Sequence, residues 1–215
     1  MGWLTLTAAI LLATNSVGSA TAAPPGFPHA RSIRPHAATT GNCPPNPSGS
    51  GILPDGDFSQ APIPVGGYTN GVPRGTEFAP DWIVTGRTID FVGPGEWGPN
   101  DPYCTVDLDG TPGPGGIRHS GVATNQGASY TVSFQFSGNG TCGPTIKTML
   151  VKAAHQFQTF TWDITNGNDA QHGVWVAETW TFVAKGAITA LTFKSQDPRG
   201  NCGPMIAAIS VAQST

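Results

Sequence analysis

Residues Tyr130-Thr-Val-Ser-Phe-Gln-Phe136 alternate strictly between apolar and polar side chains. Successive side chains of a β-strand point to opposite faces, so Tyr130, Val132, Phe134 and Phe136 line one face and Thr131, Ser133 and Gln135 the other. Such a strand needs a second layer to cover its apolar side. Similar short runs recur at Trp82 to Val84, Ile89 to Phe91, Thr105 to Leu108, Ile146 to Val151, Phe157 to Ile164, Trp175 to Ala184, Ile188 to Phe193 and Met205 to Val211. Gly, Pro, Asn and Asp separate them, at close to the spacing of about 8 to 12 residues found in sandwiches. No run keeps a helical period over three turns. The 29 Gly and 20 Pro among 215 residues exclude a coiled coil or helical bundle. The chain is therefore predicted to be all-β, with roughly ten antiparallel strands in two stacked sheets closed as a jelly roll over residues 51–215.

Residues 3–14 are an apolar run, and Ala20-Thr21-Ala22 places small residues ahead of Ala23, the pattern of a secretory signal peptide over residues 1–22. Residues 23–50, rich in Ala, Pro and Ser, carry few large apolar side chains and read as a linker. No second stretch approaches the roughly 20 apolar residues that span a bilayer. No hydrophobic tail follows Val211. The mature protein is expected to be secreted, extracellular and monomeric, with no membrane association once the signal is removed. In an oxidising compartment, Cys43, Cys104, Cys142 and Cys202 imply two disulfides, with three connectivities open. Cys142 and Cys202 sit in matching contexts, Asn139-Gly-Thr-Cys-Gly-Pro144 and Gly200-Asn-Cys-Gly-Pro204, each after a β run. That favours Cys142–Cys202 and hence Cys43–Cys104. Zinc is disfavoured, because no C-x-x-C pair or finger-like His spacing accompanies them. The net charge of −3, with ten Lys and Arg scattered singly, supplies no basic stripe for nucleic acid.

Val106-Asp-Leu-Asp-Gly110 alternates as well, which predicts Val106 and Leu108 inward and Asp107 and Asp109 outward on a solvated face. There the pair would hydrogen-bond sugar hydroxyls or start a turn. A glycosidase acid and nucleophile are not expected, because carboxyls on a solvated face keep ordinary pKa values and Glu77, Glu96 and Glu178 lie in unrelated segments. Trp97 and Tyr103 stand among turn formers, where an aromatic offers a platform for a pyranose and Asn100, Asp101 or Arg118 could orient it. The other reading folds Trp97 back as a lid over the sandwich end. Trp82 and Trp180 are expected in the core, Trp162 and Trp175 in core or groove. His29, His36, His119, His155 and His172 show no metal-binding spacing, and no G-x-S-x-G elbow occurs. The candidate ligand-binding residues are Trp97, Tyr103, Asp107 and Arg118, with no catalytic residue, metal or cofactor expected.

The order of motifs resembles a known family. Asp55-Gly-Asp-Phe-Ser59 looks like its opening strand, and Pro80-Asp-Trp-Ile-Val-Thr-Gly86 followed by Ile89-Asp-Phe-Val92 like its Pro-Gly-Trp pair of strands. Then come Trp97, Val106 to Gly110, Pro114-Gly-Gly-Ile117, Tyr130 to Asn139, Trp180 to Ala184, Leu191 to Ser195 and Gly203-Pro204. This is similar to the choice-of-anchor C family, which overlaps the plant cell-wall family called domain of unknown function 642. The resemblance implies a galactose-binding-like jelly roll, a cell-wall or extracellular location and non-catalytic binding of a polysaccharide or surface glycan. The alternative it leaves is an extracellular structural or interaction module acting on a cell-wall protein. Family members usually carry a carboxylate after the first-strand Phe and an Asp in the last strand, a pairing that in related jelly rolls often holds Ca²⁺. Ser59 and Ala207, followed by Ala208, stand there instead. Calcium takes about six to eight oxygens, so no metal is expected at that spot.

Overall fold

The computed structural model describes residues 41–47, 49–64, 67–98, 101–169 and 172–215. The predicted signal peptide and most of the predicted linker lie outside the described residues. The alternating runs pair into two six-stranded sheets. Sheet one contains β1 (Tyr68–Pro73), β4 (Thr88–Val92), β5 (Thr105–Asp107), β12 (Pro204–Gln213), β7 (Ser129–Gly138) and β10 (Val176–Val183), in that order across the sheet. Sheet two runs β2 (Glu77–Ala79), β3 (Trp82–Gly86), β6 (Gly115–Ala123), β11 (Ile188–Ser195), β8 (Ile146–Ala153) and β9 (Gln156–Asp163). All the pairings are antiparallel and the chain changes sheet at most of its connections, as in a jelly roll. Among the described residues there is no α-helix, and no helix is long and apolar enough to cross a membrane.

Register explains the core. Phe91, Val106, Ile206 and Phe136 are cross-strand partners in sheet one, and Val84, Ile117, Phe193 and Val151 in sheet two. All eight are buried. Phe134 packs edge-on against Phe193 and Phe160, with ring centroids 5.3 and 5.1 Å apart, and so joins the two sheets. Trp82 and Trp180 are core residues, as expected.

One end of this core is closed by the segment before β1, where the structure departs from the sequence reading. Asp55-Gly-Asp-Phe-Ser59 is a run of turns, not a strand. Asp55 and Phe58 have positive φ. That backbone lets Phe58 drop between Phe78, Trp82 and Phe91, and the Trp82 Nε1–H donates to the Asp55 carbonyl at 2.9 Å. The carboxylates stiffen the turn: Gln60 N–H donates to Asp55 Oδ1 and Asn46 N–H to Asp57 Oδ2, both at 2.8 Å. Ser59 donates its hydroxyl to Asp55 Oδ1, and Ala207 is buried in β12. A bulge in β12 between Ala207 and Ser210 meets the same segment, so that Ile209 N–H reaches the Gly56 carbonyl and Ile52 N–H the Val211 carbonyl.

Both disulfides pair as the sequence favours, Cys43–Cys104 and Cys142–Cys202, each with 5.7 Å between Cα atoms. Closing loops of this size restricts the unfolded chain by roughly 4 kcal/mol each in the chain-entropy model. Three strands, β1, β2 and β6, go beyond those predicted. Strand β6 begins Gly115-Gly116 and reads as a turn, yet it lies between β3 and β11 inside sheet two. A Cβ on Gly115 would overlap the Thr88 carbonyl, so the glycine is needed for close approach of backbone rather than for a turn. Gly115→Ala is expected to destabilise the fold by about 1–3 kcal/mol, the range for forced overpacking, in urea denaturation. Gly186→Ala, where an added Cβ meets nothing within 4 Å, should stay within about 0.5 kcal/mol of the parent. Equal effects would refute the packing explanation.

Candidate functional site

The four candidate residues do not assemble into one site. Trp97 is 4% exposed and folds back over the outer face of sheet one, where it packs with Val92 and Met205 and against Tyr68 and Trp175. Its carbonyl accepts from Gly173 N–H at 2.8 Å, which ties the loop before β5 to the segment before β10. Tyr103 is half-buried in the same loop, and Asn100 lies outside the described residues. Asp101 is buried there. Burial raises its carboxyl to about 7, against the pull of the Trp97 and Tyr103 backbone N–H groups, and nearby Glu96 adds to the rise.

Asp107 and Asp109 do not point into solvent, contrary to the outward placement predicted. Both are at most 1% exposed. The reason is that the outer face of sheet one is itself covered: Asp107 shares a cross-strand row with Asp90 and Met205, beneath the Trp97 loop. Asp107 Oδ1 accepts from Asp109 N–H and Gly203 N–H, each at 2.9 Å, and Oδ2 from the Asn139 amide at 2.7 Å. Beside this network Lys147 is fully buried, its ammonium donating to the carbonyls of Cys142 at 2.8 Å and Cys202 at 2.5 Å. Asp107, Asp109 and Asp197 lie close enough to favour its charge, while burial lowers its pKa. Thus Asn139 and the two Cys-Gly-Pro motifs hold a polar knot under the second disulfide. Burial raises Asp107 to about 7, opposed by the Asn139 and Asp109 hydrogen bonds, and Asp109 to about 6, opposed by Ser195 and Lys147.

His119 is also buried, edge-on to Trp82 at 5.1 Å, with Nδ1 accepting from Gly121 N–H, and burial lowers its pKa. His172 Nδ1 lies 2.9 Å from the Asp169 carboxylate at an exposed position. Among the described residues no three His, Cys, Asp or Glu side chains are grouped to hold a metal ion.

Arg118 alone of the four faces open space along a strand. It projects from β6 into a groove of about 750 Å³ across the outer face of sheet two. Thr85, Lys152, Thr192 and Lys194 line the floor from β3, β8 and β11, joined by His155 on the β8–β9 hairpin and Lys185 on the connection that crosses from β10 to β11. Cross-strand register aligns Ile83, Arg118, Thr192, Lys152 and Phe157 in one row across five strands. Sequence reasoning missed Lys152, Lys185 and Lys194. The available signal was their position: Lys152 and Lys194 sit at the polar phase of runs whose other phase is core.

A family model described as protein of unknown function DUF642 matches residues 51–212. The chain belongs to the DUF642 family. Among curated proteins none matches it. Solved structures that overlap this DUF642 chain include one described as CBM4 structure and function, at 14% identity and TM-score 0.45, covering 75% of this chain and 99% of that one. A family 35 carbohydrate binding module from Clostridium thermocellum overlaps at 15% identity and TM-score 0.40, covering 68% and 98%. The EclA C-terminal domain, a sugar-binding protein, does so at 15% and 0.35, covering 44% and 64%.

The buried carboxyls give the DUF642 sandwich a pH dependence of definite sign. An acid whose folded pKa is raised contributes stability fully below its unfolded value, and that contribution is lost as pH climbs through the folded value. For Asp109 the window runs from about 4 to about 6. Asp109→Asn removes the titration, so its melting temperature relative to the parent should rise between pH 4 and 7. A constant difference over that range would show that Asp109 titrates as an exposed carboxyl.

Proposed function

We propose that this DUF642 chain, which by its motif order falls with the choice-of-anchor C proteins, is an extracellular, non-catalytic carbohydrate-binding module of the cell wall or extracellular matrix. The observation that carries the reading is the open groove on sheet two. Its floor comes from paired strands, so its hydroxyl and cationic donors are held on a rigid surface, which suits recognition of an extended chain of sugar hydroxyls. Two disulfides that use all four cysteines fit an oxidising compartment. Among the described residues no carboxyl lines the groove, and glycoside hydrolysis needs a carboxylic acid and a carboxylate there. The acids with raised pKa values lie instead beneath the loops and the second disulfide.

In this reading Arg118 keeps the ligand-contacting role foreseen for it. Trp97 and Asp107 support the fold, and half-buried Tyr103 stands away from the groove strands. The second reading, an interaction module for a cell-wall protein, draws on Phe157 and Ile188, which are 67% and 63% exposed near one end of the groove.

Depletion of residues 41–215 from solution by insoluble polysaccharides, with a glycan array beside it, tests the proposal. Expected is weak, EDTA-insensitive binding that falls with Arg118→Ala at unchanged melting temperature. Trp97→Ala should instead lower the melting temperature, because it removes a buried indole. Binding to no glycan, together with capture of a cell-wall protein that Phe157→Ser abolishes, would overturn the carbohydrate reading in favour of the second.

A further inference from the structure

The groove has a charge that its chain does not. Of the eight described Lys and Arg four line it, Arg118, Lys152, Lys185 and Lys194, while none of the 13 Asp and Glu does. All four are exposed. Among the described residues none of the four side chains makes an ion pair or a hydrogen bond. Surface cations on a chain of net charge −3 would ordinarily be interspersed with acids. Four like charges gathered without a counter-ion repel one another, and an anionic ligand relieves that repulsion.

We propose that the groove binds an acidic polysaccharide, a chain whose sugars carry carboxylates, with Arg118, Lys152, Lys185 and Lys194 as its counter-charges. This rests on the carbohydrate reading above and names the class of sugar. Arg118 and Lys152 flank Thr192 in register, so their Cα atoms are about 10 Å apart across the strands, and Lys194 lies about 7 Å along β11 from Thr192. Charges so spaced are far sparser than the phosphates of a duplex, one per about 1.7 Å of axis. The Arg118 guanidinium offers the planar fork that a carboxylate accepts in two hydrogen bonds. In the same row, Phe157 at one end and Ile83, which separates Arg118 from Glu77 on β2, offer apolar surface to the carbon face of a sugar. A net negative chain with one small basic groove also lacks the long-range field that draws in dense polyanions.

The decisive experiment measures binding of the full chain, in EDTA, to three uronate polymers, polygalacturonate, polyglucuronate and alginate. Each is paired with its esterified or uncharged counterpart. Single-stranded DNA is the polyphosphate control. At least one uronate polymer should bind about tenfold or more tightly than its uncharged partner, with the difference shrinking between low and high salt as screening shortens from about 10 Å to about 3 Å. The double variant Lys152→Glu/Lys194→Glu should lose about tenfold in affinity. Arg74→Glu/Arg199→Glu makes the same charge change at exposed positions outside the groove, and it should bind as the parent does. Melting temperatures of both doubles within a few degrees of the parent would exclude unfolding as the cause. Equal binding of charged and uncharged partners, unaffected by the groove double, would overturn the acidic class and leave the carbohydrate reading standing. Binding to DNA as tight as to the uronates would overturn it in favour of an unselective polyanion surface. Binding to none of the glycans would defeat both readings together.

Discussion

Period-two alternation under a packed core is the constraint on which the rest of the molecule depends. Because neighbouring side chains on a strand point to opposite faces, a slip of one residue would send the whole inner set outward. Phe193 and Val151 cannot leave the core without exposing aromatic and aliphatic surface at about 25 cal/mol per Å². Their neighbours Thr192, Lys194 and Lys152 are thereby fixed on the outside, in a register set by the strand pairing. The groove is thus a by-product of core packing, and its precision is that of the sheet rather than of a loop.

Sheet one uses the same alternation differently. Its outer face is covered by the Trp97 and Trp175 segments, so that polar residues on its outer phase, Asp90 and Asp107 among them, are sealed from water. Such groups are tolerable only with partners: Gly71 N–H provides one for Asp90, and Gly203 N–H, Asn139 and the buried Lys147 provide them for Asp107. The Lys147 ammonium is in turn satisfied by the carbonyls of both cysteines of one disulfide. Charge burial, the cystine and the repeated Cys-Gly-Pro motif are therefore one device at one end of the sandwich.

These two uses of alternation mark what could be read in advance. The strands with clean alternation were legible, and so was the cysteine pairing, because matched contexts after two strands meet where those strands end. Strand β6 was not, since a glycine needed for close approach and a glycine needed for a turn look alike in sequence until the opposing Thr88 backbone is seen. Asp107 was misread because alternation assigns a side chain to a face and says nothing of whether that face is wet. The groove cations were invisible for a third reason. They are single residues on separate elements, and only long-range pairing places Arg118 and Lys152 on either side of Thr192.

The bridge between Gly51 and Val211 docks the segment ahead of β1 on the bulged edge of β12, while Cys43, further upstream, is already fixed to the sandwich by its disulfide to Cys104. Tension applied from the N-terminal side would be carried first by the covalent Cys43–Cys104 link into sheet one, so that the hydrogen bonds around Ser50, Ile52 and Val211, and the groove on the other sheet, stay unloaded.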